Sequence, residues 1–288
     1  MKRTDFRFFH RLRVRWAEVD MQKIVFNAHY LMYFDTAVAD YWRALAMPYE
    51  EAMHQLGGDL FAKKASIEYH ASARYDDRLE VGLKCARIGT SSMQIPCAVF
   101  RDNELLVTGE LIYVFADPAT QKSKPVPAQL RELLTAYEAG ENVVSVKLGS
   151  WNELREPAQR IRTQVFIDEQ RVPLDMEWDE ADKACVHAVA YNRLGQAVGT
   201  GRLLPSEQGT AKIGRVAVNR VLRGSGVGRH LMEALMDAAR KRGDKRIVLH
   251  AQRTAQAFYR GLGFTPQGEE FEEAGIVHID MTRELSQG

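Results

Sequence analysis

The stretch "RGSGVGRHLM", residues 223 to 232, places three glycines in five residues between a strand-like run, "KIGRVAV", and a helix-like run, "HLMEALMDAARKR". A strand that passes through such a turn into a helix fixes a βα unit, and the turn aims backbone N–H groups at an anion. Two phosphate-binding templates fail here. No lysine and hydroxyl follow at the G-x-x-x-x-G-K-[ST] spacing. For G-x-G-x-x-G the third glycine comes one residue early, and the next strand ends at His250 and Ala251 where an acid belongs. What remains is R-x-x-G-x-G, formed by Arg223, Gly226 and Gly228. Lys212, Arg215, Arg220, Arg223 and Arg229 crowd the segment from Lys212 to Met232, which holds no acid. Arg229 opens the helix, where a cation costs roughly 0.3–1 kcal/mol, and a bound polyphosphate would reverse that sign. The loop by itself leaves two readings open, a phosphate cradle or a glycine turn with solvated arginines.

At 288 residues the chain suits two ordinary domains, and 45% hydrophobic with 27% charged residues is the composition of a globular protein with a real core. A net charge of +1 confines any basic site to a local patch, and few aromatics interleave the basic stretch, so nucleic-acid binding is not expected. Cys85, Cys97 and Cys185 are odd in number and lack CxxC spacing, which reads as reduced structural thiols. Histidines and carboxylates nowhere have metal-ligand spacing. With no signal-peptide h-region and no transmembrane-length run, the expectation is a cytoplasmic enzyme with no membrane span.

A boundary falls near residue 140, where "KPVP" stops a strand, "AQLRELLTAYEA" forms a short amphipathic helix and "GEN" breaks it. This gives a first domain over 1–139, a linker over 140–146 and a second domain over 147–288. In the first half "RLRVRW" alternates, with Leu12, Val14 and Trp16 on one side. From His29 to Leu45 the period turns helical: Tyr30, Phe34, Val38, Tyr41 and Leu45 share a face that Leu31, Ala37 and Trp42 widen. Four strand-like runs follow, "ASIEY", "RLEVGLKCARI", "SMQIPCAVFR" and "ELLVTGELIYVFA", with a hairpin turn at Arg101 to Glu104 and a bulge or edge expected at Pro96. One buried helix wrapped by an antiparallel sheet is the reading. In the second half helices and strands intermix: a helix over "REPAQRIRTQVFIDEQ", strands at His187–Tyr191, Ala197–Leu204, Lys212–Val218, Arg246–Ala251 and "VHIDMT", and helices reaching Arg242 and spanning Gln252–Leu262.

The run "IGRVAVNRVLRGSGVGRHLMEALMDAARKRG" followed by "AFYRGLGF" resembles the GNAT acetyltransferase superfamily, and "RTQVFIDEQRVP", "HAQ" and "EEAGIVHIDM" make it similar to an ElaA-like subgroup. The likeness spans about residues 147 to 285. It implies that the amides around Arg223, Gly224, Ser225, Gly226, Val227, Gly228 and Arg229 hold the pyrophosphate of acetyl-CoA. It also implies that the strand through Val216, Ala217 and Val218 splays from its neighbour to pair with the pantetheine arm. Tyr259 stands where similar enzymes place the acid that protonates the leaving thiolate, and a phenol of pKa about 10 suits that task; packing beside Phe258 is its bland alternative. Glu169, Glu270, Glu273 and His278 are candidates by type for the general base. The acceptor amine is not legible.

The run "VRWAEVDMQKIVFNAHYLMYF", with "ASIEYHASARYDDRLEV" and "GTSSM", resembles the YbgC-like branch of the 4-hydroxybenzoyl-CoA thioesterase family over about residues 6 to 138. Those proteins have the hotdog fold, a long helix gripped by a curved antiparallel sheet. The resemblance implies that Asp20 attacks the thioester or activates water, and that the backbone N–H near Asn27 polarises the carbonyl. One such donor is worth about 2.7–4 kcal/mol. Gln22 and Lys23 stand where many relatives carry glycine, and Asn27 where they carry histidine or tyrosine. Glu18 reads as a solvated neighbour of Asp20, "RYDDR" (74 to 78) as a polar turn, and His70 and His250 as strand histidines with satisfied partners.

The resulting expectation is an α+β chain, an N-terminal hotdog domain fused to a C-terminal GNAT-fold mixed α/β domain. Its function is acyl-CoA hydrolysis by the first half and acetyl transfer from acetyl-CoA to an amine by the second. The alternative is an acetyltransferase carrying a non-catalytic hotdog module for dimerisation or acyl-CoA sensing. No permanently bound cofactor is expected; acyl-CoA and acetyl-CoA are substrates. A homo-oligomer, dimer or tetramer, is implied by the hotdog resemblance.

Overall fold

The computed structural model describes residues 1–285 and divides the chain into two compact units, Met1–Val143 and Val144–Gly288. The sequence periods explain the first unit directly. Helix α1 (His29–Ala44) buries Tyr30, Tyr33, Phe34, Ala37, Val38, Tyr41 and Trp42, the i, i+3, i+4, i+7 pattern of one apolar stripe. It is followed by α2 (Tyr49–Leu56), and α3 (Ala128–Glu138) closes the unit. Strands β1 (Phe8–Arg13), β2 (Asp59–Tyr69), β3 (Arg78–Leu83), β4 (Arg87–Ile88), β5 (Ser92–Arg101) and β6 (Glu104–Ala116) form one antiparallel sheet. Its order is β1-β3-β5-β6-β2, with β4 added to β5. Gly109 on β6 lets the helix sit on the sheet: a Cβ there would lie 2.4 Å from the Phe34 ring and 2.9 Å from the Ser66 carbonyl.

Three local expectations are corrected. Leu31 is 41% exposed and Trp16 is 77% exposed, so neither joins the core; Trp16 lies in a 3-10 turn after β1 and meets the Tyr75 ring edge-on. Pro96 is not at an edge but within β5, between β3 and β6, and meets the expected bulge: the register shifts by one residue opposite it, from Leu83 against Cys97 to Arg87 against Gln94. The neighbouring chain is interrupted there, between the end of β3 at Leu83 and the start of β4 at Arg87. Lys84 donates its N–H to the Pro96 carbonyl, and the interrupted ladder spares a regular partner for the N–H that proline lacks. Glu18 is buried at 3% exposure; it accepts from the Arg15 backbone N–H at 2.7 Å, the Arg15 guanidinium at 2.7 Å and the Tyr33 hydroxyl at 2.8 Å. Burial opposes its ionisation, yet these donors outweigh that and hold the carboxyl below its usual range.

The second unit is one seven-stranded sheet of order β12-β13-β11-β10-β9-β8-β7. The strands are β7 (Val144–Gly149), β8 (Val186–Asn192), β9 (Ala197–Leu203), β10 (Thr210–Val218), β11 (Arg246–Gln252), β12 (Thr265–Glu273) and β13 (Ile276–Glu284). Residues 144–146, read as linker, are the start of β7. Helix α4 (Trp151–Arg162) runs on as a π-helical turn over Thr163–Glu169, a feature frequent at functional sites. A short α5 (Leu174–Glu177), the long α6 (Val227–Arg242) and α7 (Gln256–Arg260) complete it. Gly199 and Gly201 on β9 admit Leu231 and Leu235 of α6, which a Cβ would meet at 2.9 Å in each case.

Beneath β8 and β9 lies a buried ion network. Arg162, 1% exposed, donates to Glu177, to both Asp182 oxygens at 2.9 Å and to the Glu177 carbonyl at 2.6 Å. Arg202 donates to Asp179 and Asp182 at 2.6 Å, and Arg215 to Glu177 at 3.0 Å. Three guanidiniums thus face three carboxylates. His187 touches the same cluster through the Asp182 carbonyl at 2.8 Å, and burial lowers its pKa from 6.5. Below about pH 6.5 the unfolded chain therefore binds a proton that the native one refuses, and stability rises with pH wherever that holds. Thermal melts of the second unit should lose stability as pH falls from 7.5 towards 5.5 (about an order-of-magnitude change in the unfolding constant per unit at most). His187→Gln should flatten that slope.

Candidate active sites

In the second unit β10 and β11 run parallel but pair only at Thr210–Lys212 against Arg246–Val248. Beyond Lys212 the strands part. A bulge between Gly214 and Ala217 shifts β10 against β9, and Arg215 takes the left-handed φ of 52° there. Its guanidinium, held by Glu177 and the Met176 carbonyl at 2.9 Å, anchors the strained residue. The side of β10 facing the gap has no strand partner past Lys212.

The glycine loop closes the end of this gap. Gly224 (φ 85°) and Gly226 (φ 96°) take conformations that a side chain strains, and Gly226 caps α6. Among the described residues the N–H groups of Gly224, Gly226, Val227, Gly228 and Arg229 donate to no acceptor. Five free donors at the positive end of a helix form a ready anion site. Ser225 differs from its neighbours: its N–H and Oγ both donate to the Leu222 carbonyl, at 3.2 and 2.6 Å. Arg223 forms a bidentate pair with Glu169, both contacts 2.7 Å. That pairing holds Glu169 below the usual carboxylate range, against a smaller opposing effect of burial.

A cavity of about 900 Å³ runs from Arg223, Gly224, Gly226, Gly228 and Arg229 past Val216, Ala217 and Val218 to Tyr259. A second cavity of about 380 Å³ shares Val216, Gln252 and Tyr259 with it and extends to Lys212, His250 and His278. Tyr259 is buried between the Phe258 and Phe264 rings, and desolvation pushes its pKa up to about 12. It therefore keeps its proton throughout the neutral range. Of the four base candidates, Glu169 is tied to Arg223, Glu270 lies 3.7 Å from Arg253, and His278 holds the Ile276 carbonyl through Nδ1 at 2.8 Å. Glu273 lines the smaller cavity. His250, read from the sequence as a satisfied strand residue, lines it too and contacts Asp280 at 2.5 Å. The signal that could have found it is the "HAQ" run at the end of a strand.

In the first unit a cavity of about 560 Å³ brings together Asp20, Asn27, Tyr30, Tyr69 and His70. Asp20 sits in a tight turn: its N–H donates to the Ile24 carbonyl, its carbonyl accepts from Lys23, and one carboxylate oxygen accepts from the Gln22 N–H at 2.8 Å. Lys23 takes φ 62°, so the turn keeps the geometry that glycine favours although the residue is lysine. The Asn27 N–H, one residue before the N-cap of α1, donates to no described group, while the Asn27 carbonyl accepts from the Tyr69 hydroxyl at 3.2 Å. His70 lies beyond the end of β2 and contacts the Thr108 hydroxyl at 3.0 Å. Cys85, Cys97 and Cys185 are buried and free, and burial pushes Cys85 up to about 12. No group of three or more His, Cys, Asp or Glu side chains among the described residues is arranged to hold a metal ion.

A helix gripped by an antiparallel sheet and a sheet parted behind a glycine-capped helix define the class, hotdog in the first unit and GNAT in the second. Residues 14–134 match the thioesterase-like superfamily and residues 155–285 the acetyltransferase (GNAT) domain. The chain is 38% identical to the UPF0039 protein of Schizosaccharomyces pombe over 127 residues, 43% of this chain and 84% of that protein. It is 36% identical to protein ElaA of Escherichia coli over 132 residues, 44% of this chain and 86% of that one. A 1,4-dihydroxy-2-naphthoyl-CoA thioesterase structure from Synechocystis matches at 18% identity and TM-score 0.42, over 44% of this chain and 95% of that one. Through its second unit the chain belongs to the GNAT acetyltransferase family, with ElaA among its relatives, and its first unit is a thioesterase-like hotdog domain. No described helix is long and apolar enough to cross a membrane.

Proposed function

We propose that the chain is a bifunctional CoA-dependent enzyme: the first unit hydrolyses an acyl-CoA thioester and the second transfers acetyl from acetyl-CoA to an amine. The observation that carries the second activity is the row of free N–H donors at the start of α6, opening into the cavity that ends at Tyr259. A pyrophosphate fits those donors, with Arg229 beside it and Arg223 released from Glu169. The pantetheine amides satisfy the unpaired side of β10, whose backbone groups otherwise need water. The thioester then lies by Tyr259, whose hydroxyl faces the leaving sulfur. Burial widens the gap between this phenol and a thiol of about 8.5, so it gives up its proton only as charge develops on sulfur. Tyr259→Phe should lower turnover about ten-fold or more with acetyl-CoA affinity unchanged. Unchanged turnover removes Tyr259 from the mechanism.

In the first unit Asp20 is the only carboxylate in its cavity among the described residues, and it shares that cavity with Asn27 at the start of α1. The carboxylate attacks the thioester carbon or draws a proton from the water that does, and the Asn27 N–H meets the oxyanion. The unit works as an oligomer of at least two copies. β2 is an eleven-residue edge strand with one free side, and Met21, Phe26 and Met32 are exposed near the cavity end of α1. Light scattering should report at least a dimer; a monomer counts against hydrolysis. Calorimetric titration with CoA and acetyl-CoA tests the whole reading, which fails if neither binds.

A further inference from the structure

The acetyl-transfer reading leaves the acceptor amine without a base, and the geometry points to one. We propose that His250, positioned by Asp280, deprotonates the acceptor, and that the acceptor is a primary alkylammonium whose nitrogen takes the place of Lys212 Nζ. The inference rests on the acetyl-transfer reading of the second unit.

His250 follows the point where β10 and β11 cease to pair, at Lys212 opposite Val248, so its ring stands at the mouth of the gap. Two residues on, and hence on the same face of β11, Gln252 lines both cavities. Asp280 is the direct cross-strand partner of His250 on β13, and its carboxylate lies 2.5 Å from Nδ1. A carboxylate only accepts, so Nδ1 carries the hydrogen; an ammonium only donates, so Nε2, in contact with Lys212 Nζ, presents its lone pair. Two independent partners thus fix the one tautomer that can take a proton from an amine. The imidazole is neither sealed in nor fully solvated, with 35% of its side chain exposed. It shares its cavity with Tyr259, the residue placed at the thioester.

The ring already faces a cation on one side and a carboxylate on the other. Lys212 from β10 and Asp280 from β13 touch it directly. On the cavity wall Glu177 is spent on Arg162 and Arg215 and Asp179 on Arg202 and Arg215, while Glu273 from β12 has no ion pair among the described contacts. A lysine ammonium already rests on Nε2, which is how a substrate alkylammonium would approach. In the reaction, one proton of R–NH3+ passes to Nε2 and on to solvent, and the freed amine attacks the acetyl carbon. As the C–S bond breaks, the sulfur takes a proton from Tyr259. The second proton shed by the nitrogen as the amide forms restores the phenol. The products are the N-acetyl amine, free CoA and one proton.

The test compares wild type, His250→Ala and Asp280→Asn with acetyl-CoA and three probes: 1,4-diaminobutane, Nα-acetyl-lysine amide and aniline. The alkylamines are charged at neutral pH and need a base; aniline is uncharged and does not. His250→Ala should lose about a hundred-fold or more in kcat/KM with an alkylamine, lose far less with aniline, bind acetyl-CoA as before and recover in part with added imidazole. Asp280→Asn should fall between the two. Equal losses with both amine classes and no response to imidazole would mean a structural role and overturn the proposal, as would activity within about three-fold of wild type. Acetyl-CoA binding without acetylation of either alkylamine also overturns it. Absence of acetyl-CoA binding sinks the acetyl-transfer reading itself.

Discussion

Asp20→Asn should abolish acyl-CoA hydrolysis while the first unit stays folded. Asparagine keeps an oxygen that can accept the Gln22 N–H, so the turn from Asp20 to Ile24 retains its hydrogen bonds. It has neither the charge to attack a thioester nor the basicity to activate water. A positioned base or nucleophile accounts for about 10²–10⁴ in rate, and thiol release from a panel of acyl-CoAs should fall by that factor for every member. Hydrolysis by the variant at the wild-type rate removes Asp20 from the chemistry, whereas absence of hydrolysis by the wild type leaves the first unit as a binding or dimerisation module.

The second large effect is on stability. Arg162→Met removes the guanidinium that faces Glu177 and Asp182, which are themselves 1% and 2% exposed. Breaking a buried pair from one side strands an uncompensated charge and costs about 3–5 kcal/mol. Stacking of Arg162 on the Trp178 ring, at 4.5 Å, goes with it. The melting temperature of the second unit should drop by roughly 8–15 °C. The sign of the pH dependence identifies the cause. Burial already raises the Glu177 carboxyl despite its arginine partners. Without Arg162 it takes up a proton more readily still in the native state, so the deficit should shrink as pH falls. Arg162→Met combined with Glu177→Gln should recover part of the loss; a deficit independent of pH and of residue 177 would mean that packing alone was lost.

Much of the molecule was legible from periodicity. Helix α1 begins at the residue its pattern gives, His29, because seven apolar contacts on one face outweigh any local preference. The strands that were read well, β5, β6, β8, β9 and β11, are interior to their sheets, where both edges are paired and the side chains are largely buried. The failures cluster at sheet edges. β7 and β12, the two ends of the second sheet, were missed, and β1 and β2, the two ends of the first, were shifted or cut short. In β12 eight of nine residues, Thr265–Glu273, are exposed, so no alternation is written into it; pairing with β13 alone makes it a strand.

The sites divide in the same way. The glycine loop, Tyr259 and Asp20 stand out as candidates in the sequence because each depends on residues close in sequence: a turn that needs left-handed backbone, a helix start, a short motif. By itself the sequence determined the two folds, the glycine-capped helix and the residue types that face it. The tertiary structure decided what no local pattern carries: that Asp280 lands opposite His250, that Arg223 rests on Glu169 fifty-four residues earlier, and that Arg162 finds Glu177 and Asp182. A hydrogen bond between side chains is set by strand register and helix docking. These follow from burying whole apolar faces, and polar partners meet only once that packing is complete.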